Sequence, residues 1–317
     1  MTWNSDGIVA GYDGSPGAGE ALRWAVREAG ERGAVLTVCL AWAPEYLAML
    51  GDASVYDLAR QKGKEILAHG AEYAGSALAP EGVRQVLAYG PAAQVLCERS
   101  GTAEMVVVGS RGHGRVAGLR LGSVAWQVAM HASGPVIVVP RRWQLANRAP
   151  GPVVVGVDQS PASRPAIEFA VREARLHRVP LLAVCALADA LGVLGGAREM
   201  EAAFNHEMAL LEKDHPDVMV LRQVAQGSPR TALLAAAGEA QLLVAGCRGR
   251  GGISGMSLGS VAQAMLHYAR CPVAVVHPPA EASGVMSSVN AKTGVGWQSG
   301  EVPNERELRL AGESVGC

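Results

Sequence analysis

Short apolar runs alternate along the chain with longer segments in which apolar residues recur every three or four positions. In the first half, the runs at residues 8–12, 35–41, 84–89, 105–109 and 136–139 read as strands. Residues 16–31, 53–78, 92–100 and 123–131 carry the helical period. The apolar runs are continuous, as in MVVVG at 105–109. A strand with one wet face alternates apolar with polar residues, whereas a strand covered on both faces does not. Buried strands separated by helices connect through right-handed crossovers, so the pattern predicts an α/β fold with a doubly wound parallel sheet. Prolines mark the boundaries: Pro16 and Pro161 open helices, and Pro135 and Pro272 precede the last strand of each half.

The pattern occurs twice. GIVAGYDGSPGAGEALRWAVREA at 7–29 returns as PVVVGVDQSPASRPAIEFAVREA at 152–174. MVVVGSRGHGRVAGLRLGSVAWQ at 105–127 returns as LLVAGCRGRGGISGMSLGSVAQA at 242–264, and GPVIVVP at 134–140 returns as CPVAVVHP at 271–278. A period this long means two globular domains and not a solenoid. The expected organisation is a first domain over 1–140, a linker over 141–151, a second domain over 152–278, and a tail over 279–317. The linker reads as polar and solvated around Arg141, Arg142 and Arg148. The tail has weak periodicity and no counterpart in the first half, which predicts disorder, with at most a marginal helix at 305–311.

Composition narrows the function. Of 317 residues, 49% are hydrophobic and 18% charged, enough for each half to bury a core. The net charge of −1 provides no basic field for nucleic acid. The six cysteines form no CxxC pair and read as reduced core thiols, His206 and His215 read as isolated surface groups, and no metal-ligand spacing is present. The N-terminus lacks the basic-then-apolar order of a signal peptide, and no apolar stretch approaches the roughly 20 residues that span a bilayer. These readings predict a soluble cytoplasmic protein that does not engage membranes.

The candidate chemistry lies in GSRGHGRVAGLRLGS at 109–123. A phosphate loop of the GxxxxGK type is excluded because neither copy has the lysine. A dinucleotide GxGxxG belongs after the first strand, where the second copy has lost most of its glycines. A plain flexible loop does not explain the length. Gly109, two residues, Gly112, nine residues, Gly122 and Ser123 recur as Gly246, two residues, Gly249, nine residues, Gly259 and Ser260. Over the same duplication, the span from Cys39 to Gly109 came to exceed that from Cys185 to Gly246 by nine residues (70 against 61). Glycine at a strand end admits close backbone approach, turn amides cradle anionic oxygens, and Gly-Ser before a helix presents N–H groups at its positive end. Asp13 and Asp158 end the first strand of each copy, where a carboxylate suits a ribose hydroxyl or a divalent metal. The inferred ligand is a nucleotide.

The spacing G-2x-G-9x-G-S after a fourth strand, with a strand-ending Asp before a Ser-Pro helix start, resembles the ATP-binding branch of the universal stress protein family. The resemblance covers residues 7–140 and 152–278. It implies two tandem five-stranded parallel doubly wound domains of the Rossmann-like, adenine nucleotide α-hydrolase-like type, with one ATP site in each that can also take Mg²⁺. Carried over, Gly109, Ser110, Arg111, Gly112, His113, Gly114 and Arg115, with Gly122, Ser123 and Val124, hold phosphates in the first half. Their counterparts are Gly246, Cys247, Arg248, Gly249, Arg250, Gly251 and Gly252, with Gly259, Ser260, Val261 and Ala262. Gly11, Asp13 and Ala41, and in the second half Gly156, Asp158 and Leu187, line the nucleoside end. Asp189, whose counterpart is Ala43, adds a ribose or metal contact in one site only, so the two sites are expected to be unequal.

His113 is replaced by Arg250 in the second copy, which argues against a catalytic histidine. Neither glycine loop carries the carboxylate or glutamine that orients water in a nucleotide hydrolase. The expectation is therefore a regulatory ATP-binding protein, with slow ATPase activity at most. Two alternatives are a nucleotide-dependent transferase or ligase of a related adenine-binding fold, and a partner module whose sites are vestigial. The resemblance further implies that the two halves pair through their final strands, that chains then form homodimers, and that an unidentified regulatory protein reads out the stress signal.

Overall fold

The apolar runs become strands, and the strands of both halves join in one ten-stranded sheet. The computed structural model describes residues 6–42, 53–114, 120–141, 143, 151–160, 163–187, 194–249 and 258–278. Pro161, most of the linker and the 279–317 segment lie outside the described residues, as do the site candidates Arg115, Asp189, Arg250, Gly251 and Gly252. The first half comprises β1 (Ile8–Gly11), α1 (Pro16–Arg32), β2 (Leu36–Trp42), α2 (Ala53–Gly75), β3 (Val83–Tyr89), α3 (Ala92–Arg99), β4 (Met105–Gly109), α4 (Ser123–His131) and β5 (Val136–Val139). The second half repeats it as β6 (Val153–Gly156), α5 (Ser163–His177), β7 (Leu181–Leu187), α6 (Leu194–Asp214), β8 (Val220–Gln226), α7 (Pro229–Ala236), β9 (Leu242–Gly246), α8 (Ser260–Tyr268) and β10 (Val273–Val276).

The strand order is β3-β2-β1-β4-β5-β10-β9-β6-β7-β8. Within each half every pairing is parallel. The halves meet at β5 and β10, which run antiparallel with Ile137 opposite Ala274. The expected pairing of the final strands is therefore present within the chain, and it leaves β3 and β8 as the outer strands. The seam strands are buried throughout, while β3 and β8 are partly exposed. In each half the strand order reverses beside β1 or β6, which opens a crevice beyond the carboxyl ends of the strands.

Helix α1 shows how local sequence sets these elements. Ser15 caps it by accepting from the Ala18 amide, Pro16 sits in its first turn, and Gly33 ends it in the left-handed conformation at φ 62°. Ala18, Ala21, Leu22, Ala25, Val26 and Ala29 recur at helical spacing and are buried against the sheet. Because the Ser15 hydroxyl is buried with its amide partner, Ser15→Ala is expected to cost about 1 kcal/mol in urea unfolding.

Two readings need correction. The linker is not wholly solvated: Trp143 is buried and its amide donates to the Pro140 carbonyl. Helix α2 stops at Gly75, and a single 3-10 turn at Pro80–Gly82 leads into β3. No disulfide joins the described cysteines, and among the described residues no helix is long and apolar enough to cross a membrane.

Candidate functional site

The two glycine loops leave the sheet in the same way. The Ser110 amide donates to the Val139 carbonyl and so extends the β4–β5 ladder by one bond; Cys247 does the same with Val276. Each loop is then closed by a short backbone bond, Gly122 N–H to Ser110 O at 2.7 Å and Gly259 N–H to Cys247 O at 2.7 Å. These matched closures account for the coincident ends of the two loops. The Ser110 and Cys247 side chains are both buried, and Ser110 does not line the first-half cleft.

The strand-ending aspartates are held alike. Asp13 Oδ1 accepts from the Ser15 amide at 2.9 Å, and Asp158 Oδ1 from the Ser160 amide at 3.0 Å. The other oxygen of each faces the second glycine of its loop. A Cβ on Gly112 would lie 2.5 Å from Asp13 Oδ2, and one on Gly249 would lie 2.4 Å from Asp158 Oδ2. Gly112 and Gly249 therefore leave room for their own carboxylates in the observed positions. Gly109, which also lines the cleft, has a packing role besides. A Cβ there would meet the Gly17 carbonyl oxygen at 2.4 Å, and one on Gly17 would meet the Arg111 carbonyl oxygen at 2.0 Å. These two glycines let the loop pack on the first turn of α1.

Beyond the loop, α4 starts at Ser123 with Gly122 as its cap residue and no side chain bonded to its first amides. Helix α8 starts identically at Ser260 with Gly259. The first amides of a helix have no internal acceptor and carry the positive end of its dipole. The Trp126 amide reaches back to Gly122 and Gln263 to Gly259. That leaves the amides at 123–125 and 260–262 outside the helical ladder.

These parts enclose a cleft of about 440 Å³ in the first half. It brings together Gly11, Asp13 and Ala41 at the strand ends, Gly109 and residues 111–114 of the loop, and Gly122, Ser123 and Val124 at the helix start. His113 lines it with Nδ1 3.3 Å from Asp13 Oδ2. Sequence reasoning missed the floor, formed by Cys39, Leu96 and Leu121 with Ala92 and Ala125. Burial, opposed by Arg99, pushes the Cys39 thiol up to about 11, so it is an apolar wall and not a nucleophile. No local signal marked Leu96, which reaches the cleft because α3 packs back against Gly11 at the end of β1.

In the second half, Gly156, Asp158, Leu187 and Gly246 stand at strand ends, Arg248 and Gly249 in the loop, and Gly259, Ser260, Val261 and Ala262 at the helix start. Leu187 and Ala262 are buried. Gln159, the counterpart of Gly14, takes a left-handed φ of 58° and secures it by donating to the Met200 carbonyl. Burial, offset by Arg164 and reinforced by Asp158, raises the Glu207 carboxyl on α6, an acidic neighbour the first half does not reproduce. The halves are similar but not identical.

The Universal stress protein family profile matches residues 5–140 and again 151–277. A universal stress protein of Mycobacterium tuberculosis is 35% identical over 304 residues, spanning 86% of this chain and 95% of the relative. The chain belongs to the universal stress protein family. Another relative, from Mycolicibacterium smegmatis, is 33% identical over 285 residues, covering 86% of this universal stress protein and 97% of its own length. The crystal structure of a universal stress protein from Archaeoglobus fulgidus superposes with a TM-score of 0.65 at 22% identity, over 87% of this chain and 99% of that one. That likeness concerns the fold alone.

One further cluster has the composition of a metal site. Glu28, Glu173 and His177 offer ligand atoms within 4.8 Å of one another where α1 meets α5. Arg32 already occupies the space between the carboxylates, with Nε 2.8 Å from Glu28 and Nη2 bonded to Glu173. This is a buried ion cluster joining the two halves. His215 is likewise not isolated, because its Nδ1 lies 3.0 Å from Arg175, which also pairs with Asp217.

Proposed function

We propose that this universal stress protein binds one ATP in each half and acts as a nucleotide-dependent regulatory protein, with slow hydrolysis at most. The observation that carries the reading is the duplicated pairing of a strand-end carboxylate with a loop glycine, Asp13 with Gly112 and Asp158 with Gly249. A loop serving only as a connection has no reason to fit itself to a carboxylate twice. The fit to a nucleotide follows from the parts. Phosphates meet the amides at the start of α4 and the Arg111 guanidinium, while the ribose meets Asp13 and the base enters over Ala41. The strand-end carboxylate at each site suits Mg²⁺, which takes one or two carboxylates and completes its shell with phosphate oxygens and water. Asp13 would hold it in the first half and Asp158 in the second. Against rapid turnover stands His113, which pairs with Asp13 in one half and is arginine at its counterpart.

Thermal melting with Mg-ATP tests this reading. Ligand at 100 times its Kd adds about 2.7 kcal/mol to the folded state, so melting is expected to rise clearly at millimolar ATP. An unmoved transition rejects the proposal. Phosphate release faster than a few turnovers per minute rejects the regulatory reading in favour of an enzyme.

A further inference from the structure

A second opening lies at the seam, beyond the end of β5. It is a groove of about 950 Å³ between the glycine loop and the end of α8, lined by Arg111, Arg120, Arg141, His267 and Arg270. Arg120 is held from the other half of the chain by Tyr268, whose ring centre is 5.4 Å from its guanidinium carbon, and Arg230 stacks on the same ring at 4.5 Å. An arginine held by an aromatic face keeps its N–H fork available for an anion, which one held by a carboxylate does not. The segments that build the groove contain no acid: there is no Asp or Glu between Glu104 and Asp158, or between Glu239 and Glu281. The end of the α8 dipole supplies about half a negative charge, too little to balance four guanidinium groups.

The duplication provides an internal control. When Ser123 is aligned with Ser260 and Val139 with Val276, the counterparts of Arg120, Arg141, Arg230 and Arg270 are Ser257, Pro278, Ala93 and Ser133. The fold therefore builds this seam without those cations. On that other flank the Ala129 carbonyl at the end of α4 receives His277 Nε2 at 3.0 Å. The counterpart of His277 is Pro140, which has no donor and borders the open groove. Four of the cations, Arg120, Arg141, Arg230 and Arg270, are confined to one flank, while Arg111 has its counterpart in Arg248 on the other.

We propose that this groove is a second anion site, on one flank only, that takes a short chain of phosphates. Guanidinium forks match phosphate oxygens in bidentate geometry, and a groove of this volume is on the scale of small-molecule sites. The face of Tyr268 is already covered by arginine, so the groove offers no platform for a base, and a bare phosphate chain fits better than a second nucleoside. Arg111 lines both the groove and the cleft, which places the two ligands side by side.

Calorimetric titration of the full chain with inorganic tripolyphosphate, at fixed ionic strength and with or without saturating ATP, tests the assignment. With saturating ATP, one tripolyphosphate per chain is expected to bind; without ATP, the two nucleotide clefts are expected to take further tripolyphosphate. Arg120→Ser with Arg270→Ser, which copies the serines of the other flank, is expected to weaken the binding that persists in ATP at least about tenfold, since each lost charge-assisted contact is worth about that much. The charge-matched pair Arg23→Ser with Arg164→Ser, on exposed helix surface, is expected to leave binding unchanged, and Arg141→Ser alone gives an independent reading if the double variant folds poorly. The proposal is overturned by absence of binding at millimolar tripolyphosphate, by equal weakening in both double variants, or by complete competition from ATP. Tighter binding of a glutamate-rich peptide would overturn it in favour of a protein partner. Tripolyphosphate binding that responds to Arg120 and Arg270 in a protein that ignores ATP would sustain this site while rejecting the proposed function.

Discussion

Replacing Glu28 by alanine is expected to destabilise the protein by about 3–5 kcal/mol, the usual cost of removing one partner from a buried ion cluster. At roughly 2–4 °C per kcal/mol for a domain of this size, melting should fall by roughly 6–20 °C. Glu28 and Glu173 are both fully buried, and they occupy equivalent positions in the repeated AVREA of α1 and α5. His177 Nε2 lies 3.0 Å from Glu28, and Arg32 reaches both carboxylates. Without Glu28, the Arg32 guanidinium keeps only Glu173 and the more exposed Glu104, at 3.8 Å. A loss below about 1 kcal/mol would show that water enters the cluster and that burial does not set its energy.

The same cluster makes stability depend on pH. Two carboxylates and one guanidinium leave a buried charge of −1 unless the group retains a proton. Burial works against the Glu28 carboxylate, but the hydrogen bond and charge of His177, with Arg32, hold it below its ordinary range. Burial, then repulsion from Glu28, pushes Glu173 up to about 8. A carboxyl raised on folding contributes stability below its unfolded value and loses it as pH rises through its folded value. Melting is therefore expected to decline between about pH 5 and pH 8, by a few kcal/mol in all. Glu173→Gln should flatten that decline. His177→Arg, which gives α5 the residue that α1 carries at Arg32, should flatten it as well by supplying the missing charge permanently. A decline that survives both variants would place the responsible group elsewhere.

How much of this was legible in the sequence depended on whether the cause was local or reached across the chain. Strands and helices followed from period, prolines and caps, and the duplication gave the fold twice over. The glycine-loop part of the cleft lining was legible because the spacing from Gly109 to Ser123 is itself a local property, whereas the apolar floor of Cys39, Leu96 and Leu121 was not. What was missed came from contacts between segments. Nothing around Gly109 announces that it packs on Gly17, and nothing around Ser110 shows that its side chain turns inward once its amide joins Val139. The ion cluster was present as a repeated Glu followed four residues later by Arg or His, but only the antiparallel β5–β10 seam brings the two copies together. Charge segregation was equally visible as an acid-free stretch, and its meaning depended on α8 facing that stretch across the seam.

Those long-range contacts decide which glycine best tests the nucleotide sites. Gly109→Ala would set a Cβ 2.4 Å from the Gly17 carbonyl oxygen and disturb the fold itself, so loss of binding would be ambiguous. Gly112→Ala and Gly249→Ala strike only a carboxylate oxygen, which can rotate away and leave the backbone in place. The rotation displaces the oxygen that the proposed ribose or metal contact requires. Each variant is expected to melt within about 1 kcal/mol of the parent without ligand, as side-chain adjustments near a surface usually do. Calorimetry should then show ATP stoichiometry falling from two per chain to one, with affinity at the altered site at least about tenfold weaker, the value of one charge-assisted hydrogen bond. The double variant should bind at neither site. Gly122→Ala is the control, because a Cβ there has no atom nearer than 3.5 Å and the helix start keeps its open amides. If Gly122→Ala weakens ATP as much as Gly112→Ala does, the carboxylate is not the gatekeeper and the phosphate end of the cleft dominates binding. If neither variant changes the stoichiometry, the Asp–Gly pairing belongs to the architecture of the loop, and the proposed nucleotide sites lose the observation that supports them.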